Sequence, residues 1–283
     1  MKVLTIPNWS FCDDRLLMDF KKILDESGIQ IHYLQGDVDH HRTVSAFSGE
    51  VDAVIRALEN LAELAFSQVD LSTHQGVHPK VGVLDVCPFV LFDSTDFDAI
   101  NKKVQEFASY LAEKYELPCF LYEKSSVRSA QLPSLRAGGY SVLVSKKLDP
   151  DFGPDSYNKK LGATVIGIRD FLIAMNVNLD TNDLGLAQDI ARKIRTFRDL
   201  GNMRFQGVRA LGFELKSRGI VQVSFNLTLP DATSIDSLVH VVDGLAREAS
   251  VQVHSTELIG VIRKKDLSGA YKFFTEPKQI IHS

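Results

Sequence analysis

A short stretch of the chain, residues 73–89, gathers residue types that can do acid–base chemistry. It reads THQGVHPKVGVLDVCPF and places His74 and His78 on either side of Gly76, with Pro79 directly after the second histidine. A neutral imidazole can accept and return one proton near pH 7. His78 stands in a Gly-Pro loop before an apolar run, and loops on a rigid scaffold often present reactive groups. We therefore predict that His78 is a general acid/base; the alternative is a structural histidine that donates to a carbonyl in a turn.

The two histidines could instead bind a metal ion, together with the acidic and histidine residues at 39–41. On a helix, histidines four positions apart would converge on one ion. Gly76 lies between His74 and His78, however, and Pro79 follows at once, so a helix is not expected there. We predict no metal site.

Arg42 closes the polar segment GDVDHHR at residues 36–42, directly before a predicted strand. An arginine can bind a carboxylate through two parallel hydrogen bonds. The segment could equally be a solvated turn with an arginine at the start of the strand. The sequence leaves both interpretations open.

A second basic group lies in the irregular region 123–162, which is rich in Ser, Pro, Gly and Lys. Its members are Arg128, Arg136, Lys146, Lys147, Lys159 and Lys160. Such a group is commonly a solvated face. In a chain with a formal net charge of −4, a basic loop near a cleft would also concentrate an anionic ligand. Long stretches without periodicity inside a compact domain are usually functional loops or linkers.

The elements that position these residues follow from hydrophobic periodicity. Strands are predicted at 2–7, 29–34, 43–47, 81–92 and 119–122, with helices over 16–24, 51–65 and 97–111. After the irregular region, strand material is predicted at 164–179, 208–215, 220–227 and 251–261, with helices over 184–198 and 235–245. The order strand, helix, strand, strand, helix, strand thus occurs twice.

This order predicts an α+β protein of two split βαβ units in tandem, with antiparallel sheets covered by helices on one face. We place the first subdomain at residues 1–178 and the second at 179–283. Two such units side by side would leave a groove between them, and small ligands usually bind at such places.

The composition excludes several other classes of protein. Hydrophobic residues make up 45% and charged residues 24%, as in soluble globular proteins. The negative net charge argues against a nucleic-acid partner. No run of about 18 apolar residues is present, so no membrane span is expected, and the N-terminus does not resemble a signal peptide. Three scattered cysteines predict reduced thiols in a cytoplasmic protein.

The stretch at 73–89 resembles the signature of the glutamate formimidoyltransferase family, and of the formiminotransferase domain of formimidoyltransferase-cyclodeaminase. The shared pattern is H-x-G-x-H-P-basic-x-G-x-x-D-V-C-P-F. The resemblance extends in order over IPNWS, HHRTV, LPSLRAGGY, PDFGP, LGATVIGIRDFLIAMNVNL, QVSFNLT and ELIGV, which is nearly the whole chain. No cyclodeaminase domain is expected.

The resemblance implies two ferredoxin-like subdomains with a folate-binding groove between them, in a homodimer. It implies transfer of a formimino group from N-formimino-L-glutamate to N5 of tetrahydrofolate, in histidine degradation and one-carbon metabolism. The family's catalytic histidine falls on His78. Its folate-binding stretch falls on Gly153, Pro154, Asp155, Ser156, Tyr157, Asn158, Lys159, Lys160, Leu161 and Gly162.

The chemistry of the residues agrees with those roles. N5 must lose a proton as it attacks the amidine carbon, and the departing glutamate nitrogen must gain one, so one histidine can serve both nitrogens. The folate tail and the glutamate derivative are anionic, and the residues expected to bind the donor are Arg42, His41, Lys80 and Arg136.

The positions that depart from the family pattern include Val77, His41, Gly139 and Ser141, and the opening reads PNWSFC where the family has P-N-F-S-E-G. Val77 and Gly139 stand where the family carries carboxylates, which leaves the donor open. The alternatives are formyl transfer from N-formylglutamate or another donor, a non-catalytic folate-binding paralogue, and a metal hydrolase using His74 and His78.

Overall fold

The chain folds into two compact units, Met1–Arg169 and Asp170–Ser283. The structure is a computed structural model that describes residues 1–73, 80–92, 96–146, 148–156, 158–267 and 275–282, without the side chain of Val144. Both units are mixed α+β, and each contains the predicted order strand, helix, strand, strand, helix, strand. The sequence-based division after residue 178 falls inside the strand Ile173–Leu179, all of which lies in the second unit.

The first unit is built around one seven-stranded sheet. Its elements in chain order are β1 (Lys2–Thr5), β2 (Asn8–Trp9), α1 (Asp14–Glu26), β3 (Gln30–Asp37), β4 (Arg42–Glu50), α2 (Val51–Gln68), β5 (Leu84–Leu91), α3 (Phe97–Tyr115), β6 (Cys119–Leu121), α4 (Leu132–Arg136), α5 (Gly139–Ser145) and β7 (Thr164–Ile168). The helices α1, α2 and α3 bury their apolar residues against this sheet in the main core, with Phe20, Leu58 and Phe107 at its centre.

The strands β1 and β2 together form one interrupted central strand. Both pair antiparallel with β4 on one side and with β5 on the other. Pro7 lies at the interruption and has no N–H to donate to a sheet, but its carbonyl accepts a hydrogen bond from Ser45 N at 3.1 Å. The strand therefore continues to the edge of the sheet where β4 and β5 begin.

The strands β6 and β7 extend this sheet with parallel pairing, which corrects the prediction of a wholly antiparallel sheet. Parallel neighbours need long crossover connections. The region 123–162 is such a crossover, because it links β6 to the adjacent strand β7.

The crossover also contains α4 and α5, although the sequence showed no periodicity there. Their residues Leu135, Tyr140 and Leu143 pack with Val165 in a small second cluster, whereas Ile166 packs in the main core. Successive strand residues point to opposite faces, so α4 and α5 cover the other face of the sheet. The prediction of helices on one face alone is therefore wrong for this unit; parallel strands are generally buried on both faces.

The second unit has a four-stranded antiparallel sheet, as predicted. Its elements are β8 (Ile173–Leu179), α6 (Leu184–Asp199), β9 (Val208–Leu215), β10 (Ile220–Leu227), α7 (Ile235–Glu248), β11 (Val253–Ile259) and the parallel pair β12 (Ile262–Arg263) and β13 (Ile280–Ile281). The strand order in the sheet is β11-β8-β10-β9. Both long helices bury their apolar faces in one core with these strands.

Two simple predictions can be compared with the fold directly. All three cysteines are free thiols, with Cys87 and Cys119 buried and Cys12 half-buried. Among the helices of the described residues, none has the length and apolar character needed to cross a membrane.

Candidate active site

A pocket lies at the edge of the first sheet where β2 ends and β4 and β5 begin. Because β2 runs antiparallel to both neighbours, its last residues lie beside the first residues of β4 and β5. The residues lining the pocket are Asn8, Trp9, Ser10, His40, His41, Arg42, Lys80, Asp85 and Arg136. All four residues expected to bind the donor are in this set.

The end of the central strand is firmly anchored. Trp9 is fully buried, and its Nε1 donates to Ser45 Oγ at 3.2 Å. Ser10 donates twice to the segment before β5, from its N to Val83 O at 2.8 Å and from its Oγ to Gly82 O at 2.7 Å. These bonds fix the place of Asn8 in the pocket.

The two histidines of the turn before β4 have different surroundings. His40 is buried and donates from its backbone N to Asp37 Oδ1, and its Nδ1 lies 2.9 Å from Asp37 Oδ2. Burial raises the pKa of Asp37, but the two hydrogen bonds with His40 outweigh it and bring the pKa below its ordinary value. His40 therefore has a structural role in the turn.

His41, the other histidine of this turn, also lines the pocket. Its backbone adopts φ 48°, a left-handed conformation that is uncommon outside glycine and that tends to occur at functional sites. Burial lowers the pKa of His41, and the nearby charge of Lys80 adds to the effect. The imidazole is therefore neutral at pH 7.

Arg42 supplies a cationic group on the wall of the pocket. Its pKa is lowered to about 10, mainly by burial and also by the positive charge of Arg136. Asp37, Tyr33 and Asp85 act in the opposite direction and raise the pKa. The guanidinium remains protonated at neutral pH. Its Nε is buried, and within the described residues it has no hydrogen-bond partner. A carboxylate of a ligand would supply the missing acceptor.

Lys80, Asp85 and Arg136 also line the pocket. Arg136 Nη2 is ion-paired with Asp85 Oδ2, and both side chains are largely buried. Burial raises the pKa of Asp85, whereas Arg136 and the hydrogen bond from the N–H of Val81 act to lower it. Burial lowers the pKa of Lys80, opposed by Asp85. With Arg42, the pocket holds three cationic side chains against one carboxylate, which favours an anionic ligand.

The predicted folate-binding segment, residues 153–162, lies directly beside the start of β5. A β-bridge pairs Gly82 with Gly162, and Leu71 N donates to Lys160 O at 2.8 Å. The segment therefore contacts the chain on both sides of residues 74–79. The predicted catalytic His78 is in that stretch, outside the described residues.

The basic group of the crossover does not act as one patch. Arg128 donates to Asp149 O and is ion-paired with Asp151, and Lys146 donates to Ser134 O. Both are committed to local structure. Lys159 and Lys160 are exposed, and Arg136 lines the pocket. Lys147 and Tyr157 lie outside the described residues.

Among the residues of this region that the sequence analysis did not single out are Asn8, Asp85 and Tyr140. Asn8 and Asp85 line the pocket. Tyr140 connects its parts, because its N donates to Lys80 O at 3.0 Å and its hydroxyl accepts from Asn158 N at 2.8 Å. Each stands in a stretch that carried the family resemblance, namely IPNWS, DVCPF and LPSLRAGGY, and that position is the signal that could have identified them.

No cluster of three or more His, Cys, Asp or Glu suited to a metal ion is found among the described residues. His74 and His78, the two histidines of the metal-site alternative, lie outside them.

Comparison with known families places the chain. Residues 3–169 match the model of the formiminotransferase domain, N-terminal subdomain, and residues 174–282 match that of the formiminotransferase domain. The chain belongs to the formiminotransferase family. The division between the two formiminotransferase matches falls close to the end of the first structural unit at Arg169.

The relatives that this chain resembles include proteins of similar length and longer ones. Glutamate formimidoyltransferases of Streptococcus pyogenes serotype M1 and Thermoplasma acidophilum are 29% and 30% identical over 96% of this chain, which covers 92% and 91% of their lengths. Formimidoyltransferase-cyclodeaminase of Sus scrofa is 31% identical over 97% of this chain. The chain spans about half the length of that relative, 52%.

Proposed function

We propose that the protein transfers a formimino group from N-formimino-L-glutamate to N5 of tetrahydrofolate. The observation that carries this proposal is the family match across both units, together with relatives of nearly the same length that are named glutamate formimidoyltransferase. The cationic pocket supports it independently, because both proposed substrates carry carboxylates. In this proposal tetrahydrofolate is a co-substrate, and the two-unit chain works in the cytoplasm as a homodimer.

His78 is the proposed general acid/base. As N5 attacks the amidinium carbon, His78 takes the N5 proton and a tetrahedral intermediate forms. The bond from that carbon to the glutamate nitrogen then breaks, and His78 returns the proton to the departing nitrogen. The amidinium carbon is already electrophilic because the group is charged, so the proposed route requires no metal. Holding both substrates together supplies much of the rate gain.

Arg42, His41, Lys80 and Arg136 are the proposed donor-binding residues. The donor's carboxylate is assigned to Arg42, whose buried Nε lacks an acceptor within the described residues, with Lys80 beside it. Neutral His41 can accept or donate a hydrogen bond there.

Residues 153–162 are the proposed folate-binding segment. Lys159 and Lys160 are exposed on it and suit the anionic tail of the folate.

We also assign both units to the ferredoxin-like group. The order β11-β8-β10-β9 of the second sheet supports this, since the first and third strands in chain order lie side by side and the second and fourth lie at the edges. In the first unit, β5, β1, β4 and β3 follow the same order.

The proposal is tested by incubating the purified protein with tetrahydrofolate and N-formimino-L-glutamate and measuring 5-formimino-tetrahydrofolate. Product formation is expected. N-Formylglutamate is offered in parallel, because Val77 and Gly139 stand where relatives are expected to carry carboxylates. Turnover with N-formylglutamate alone would identify that compound as the donor in place of N-formimino-L-glutamate. Tight folate binding without turnover of either donor would contradict an enzymatic role.

Arg42→Ala is predicted to weaken binding of the donor. Losing a charge-assisted hydrogen bond to a carboxylate costs about 1.5–3 kcal/mol, so KM for the anionic donor rises about 10- to 100-fold. The value of kcat changes much less, because Arg42 transfers no proton in the proposed mechanism. Steady-state kinetics with the donor varied at saturating tetrahydrofolate measures both.

Arg192→Ala is the matched control. Arg192 is an exposed arginine on α6 that is ion-paired with Asp189 and is not among the residues lining the pocket, so the substitution removes the same charge from outside the lining set and is expected to leave KM unchanged. An unchanged KM in Arg42→Ala would remove Arg42 from donor binding.

A further inference from the structure

Asp85 is a buried carboxylate that lines the pocket. It is the second residue of β5 and is 2% exposed. Its Oδ1 accepts from Val81 N at 2.7 Å, and its Oδ2 is ion-paired with Arg136. A buried carboxylate needs hydrogen-bond donors and a cation as partners, since desolvation of an unpaired carboxylate is very costly.

The two bonds of Asp85 act on different elements. The bond to Val81 fixes the backbone directly after Lys80, while Tyr140 N donates to Lys80 O from α5. Lys80 is thereby held at its carbonyl and at the next amide. Arg136 ends α4, a helix of only five residues, and the ion pair joins that short helix to β5.

The ion pair also distinguishes Arg136 from the other two cations of the pocket. Arg136 is committed to Asp85. Within the described residues, neither Lys80 Nζ nor the Arg42 guanidinium has a hydrogen-bonded or ion-paired carboxylate, although both line the same pocket. Two of the three cations thus lack a carboxylate partner among the described residues and could bind an anionic ligand.

We propose that Asp85 is a positioning residue of the active site, whose carboxylate holds Arg136 and the Val81 amide so that Lys80 and Arg42 are presented to the anionic substrate. This inference rests on the proposed function for its substrate, and it adds a residue that touches no substrate atom. A buried ion pair by itself is weak evidence for stability, so the test has to separate positioning from a merely structural role.

The test uses Asp85→Asn, which keeps an oxygen for Val81 N and removes the charge. Lys80 is the reporter, because the groups facing it are Asp85 on β5, Arg136 on α4, and Arg42 and His41 at the start of β4. Competitive acetylation of Lys80, followed by mass spectrometry across a pH series, gives the titration of its amine. In Asp85→Asn this titration moves to lower pH, because the attractive carboxylate is gone.

The kinetic result expected for Asp85→Asn has the same sense as that for Arg42→Ala. Lys80 and Arg42 are no longer held in place for the anionic donor, so KM for the donor rises about 2- to 10-fold, as for the loss of one hydrogen bond, while kcat changes much less. Simple destabilisation would lower the concentration of active enzyme, and with it the apparent kcat, and would leave KM unchanged.

Asp151→Asn is the matched control. Asp151 has the same arrangement outside the pocket, with Oδ2 accepting from Leu121 N at 2.8 Å and Oδ1 ion-paired with Arg128 at 2.8 Å. Its loss leaves the Lys80 titration where it is. Unfolding would return Lys80 towards its ordinary value, which is upward, so the direction of the shift separates the two causes.

A second variant covers the case in which Asp85→Asn does not fold, as judged by circular dichroism. Arg136→Gln removes the cation and keeps Asp85, and the Lys80 titration then moves to higher pH in the folded protein. An unmoved Lys80 titration in a folded variant overturns the inference. Wild-type protein that transfers no group overturns the proposed function instead, and the Lys80 titration still decides the role of Asp85.

Discussion

His78→Ala is expected to lower kcat for formimino transfer by about 10²- to 10⁴-fold, the usual contribution of a positioned general acid/base. In the proposed mechanism one imidazole moves a proton in both halves of the reaction, so its loss slows formation and collapse of the tetrahedral intermediate alike. In the same proposal, the donor and tetrahydrofolate are bound by other residues. Their affinities, measured by isothermal titration calorimetry, are therefore expected to change by less than about threefold, or 0.6 kcal/mol.

His74→Ala is the control for this prediction. It removes the same side chain four positions earlier in the same stretch, and in the acid/base hypothesis it leaves kcat near the wild-type value. Equal losses in both variants, together with a wild-type protein that a chelator inactivates and added zinc restores, would favour the metal-site alternative. Full activity in His78→Ala would remove His78 from the mechanism.

The periodic elements were the part of the fold that the sequence predicted well. Helices such as α2 and strands such as β10 carry apolar residues at one regular spacing, and burial of that face decides their structure. The order of elements in both units followed from this. The parallel strands β6 and β7 did not, because strand direction is set by the crossover that joins them, and local pattern does not contain it.

The short helices α4 and α5 were missed for a related reason. Five and seven residues are too few to show a period, and isolated helices of this length are marginal in water. They form because Leu135, Tyr140 and Leu143 pack on the sheet. Their placement brings Arg136 and Tyr140 to the pocket, which no spacing in the sequence indicates.

At the site, the sequence indicated which residues could bind an anion, but it did not show which side chains contact one another. Arg42, His41, Lys80 and Arg136 all line one pocket, although they come from segments far apart in the chain. The sequence did not separate His40, which serves the turn through Asp37, from its neighbour His41. It also did not show that Arg136 is held by Asp85, because an ion pair between distant residues depends on the fold.

Gly82→Ala is expected to destabilise the first unit severely. A Cβ at residue 82 would overlap the carbonyl oxygen of Ala163, which is backbone and has little room to move. Relief requires separating Val81–Val83 from 161–163 and breaking the hydrogen bonds Val83 N to Leu161 O and Ala163 N to Val81 O. Overpacking of this kind costs about 3 kcal/mol or more, measured as a lower urea midpoint for the first unit.

Gly244→Ala provides the matched control, since a Cβ there meets no atom within 4 Å. Gly244 lies inside α7, and alanine is the better helix former by about 0.5–1 kcal/mol. The same substitution is therefore expected to stabilise the second unit while it damages the first. Gly82 lies where the donor pocket meets the proposed folate-binding segment, so Gly82→Ala should also weaken tetrahydrofolate binding in whatever folded protein remains. Wild-type stability in Gly82→Ala would mean that residues 161–163 do not cross the start of β5.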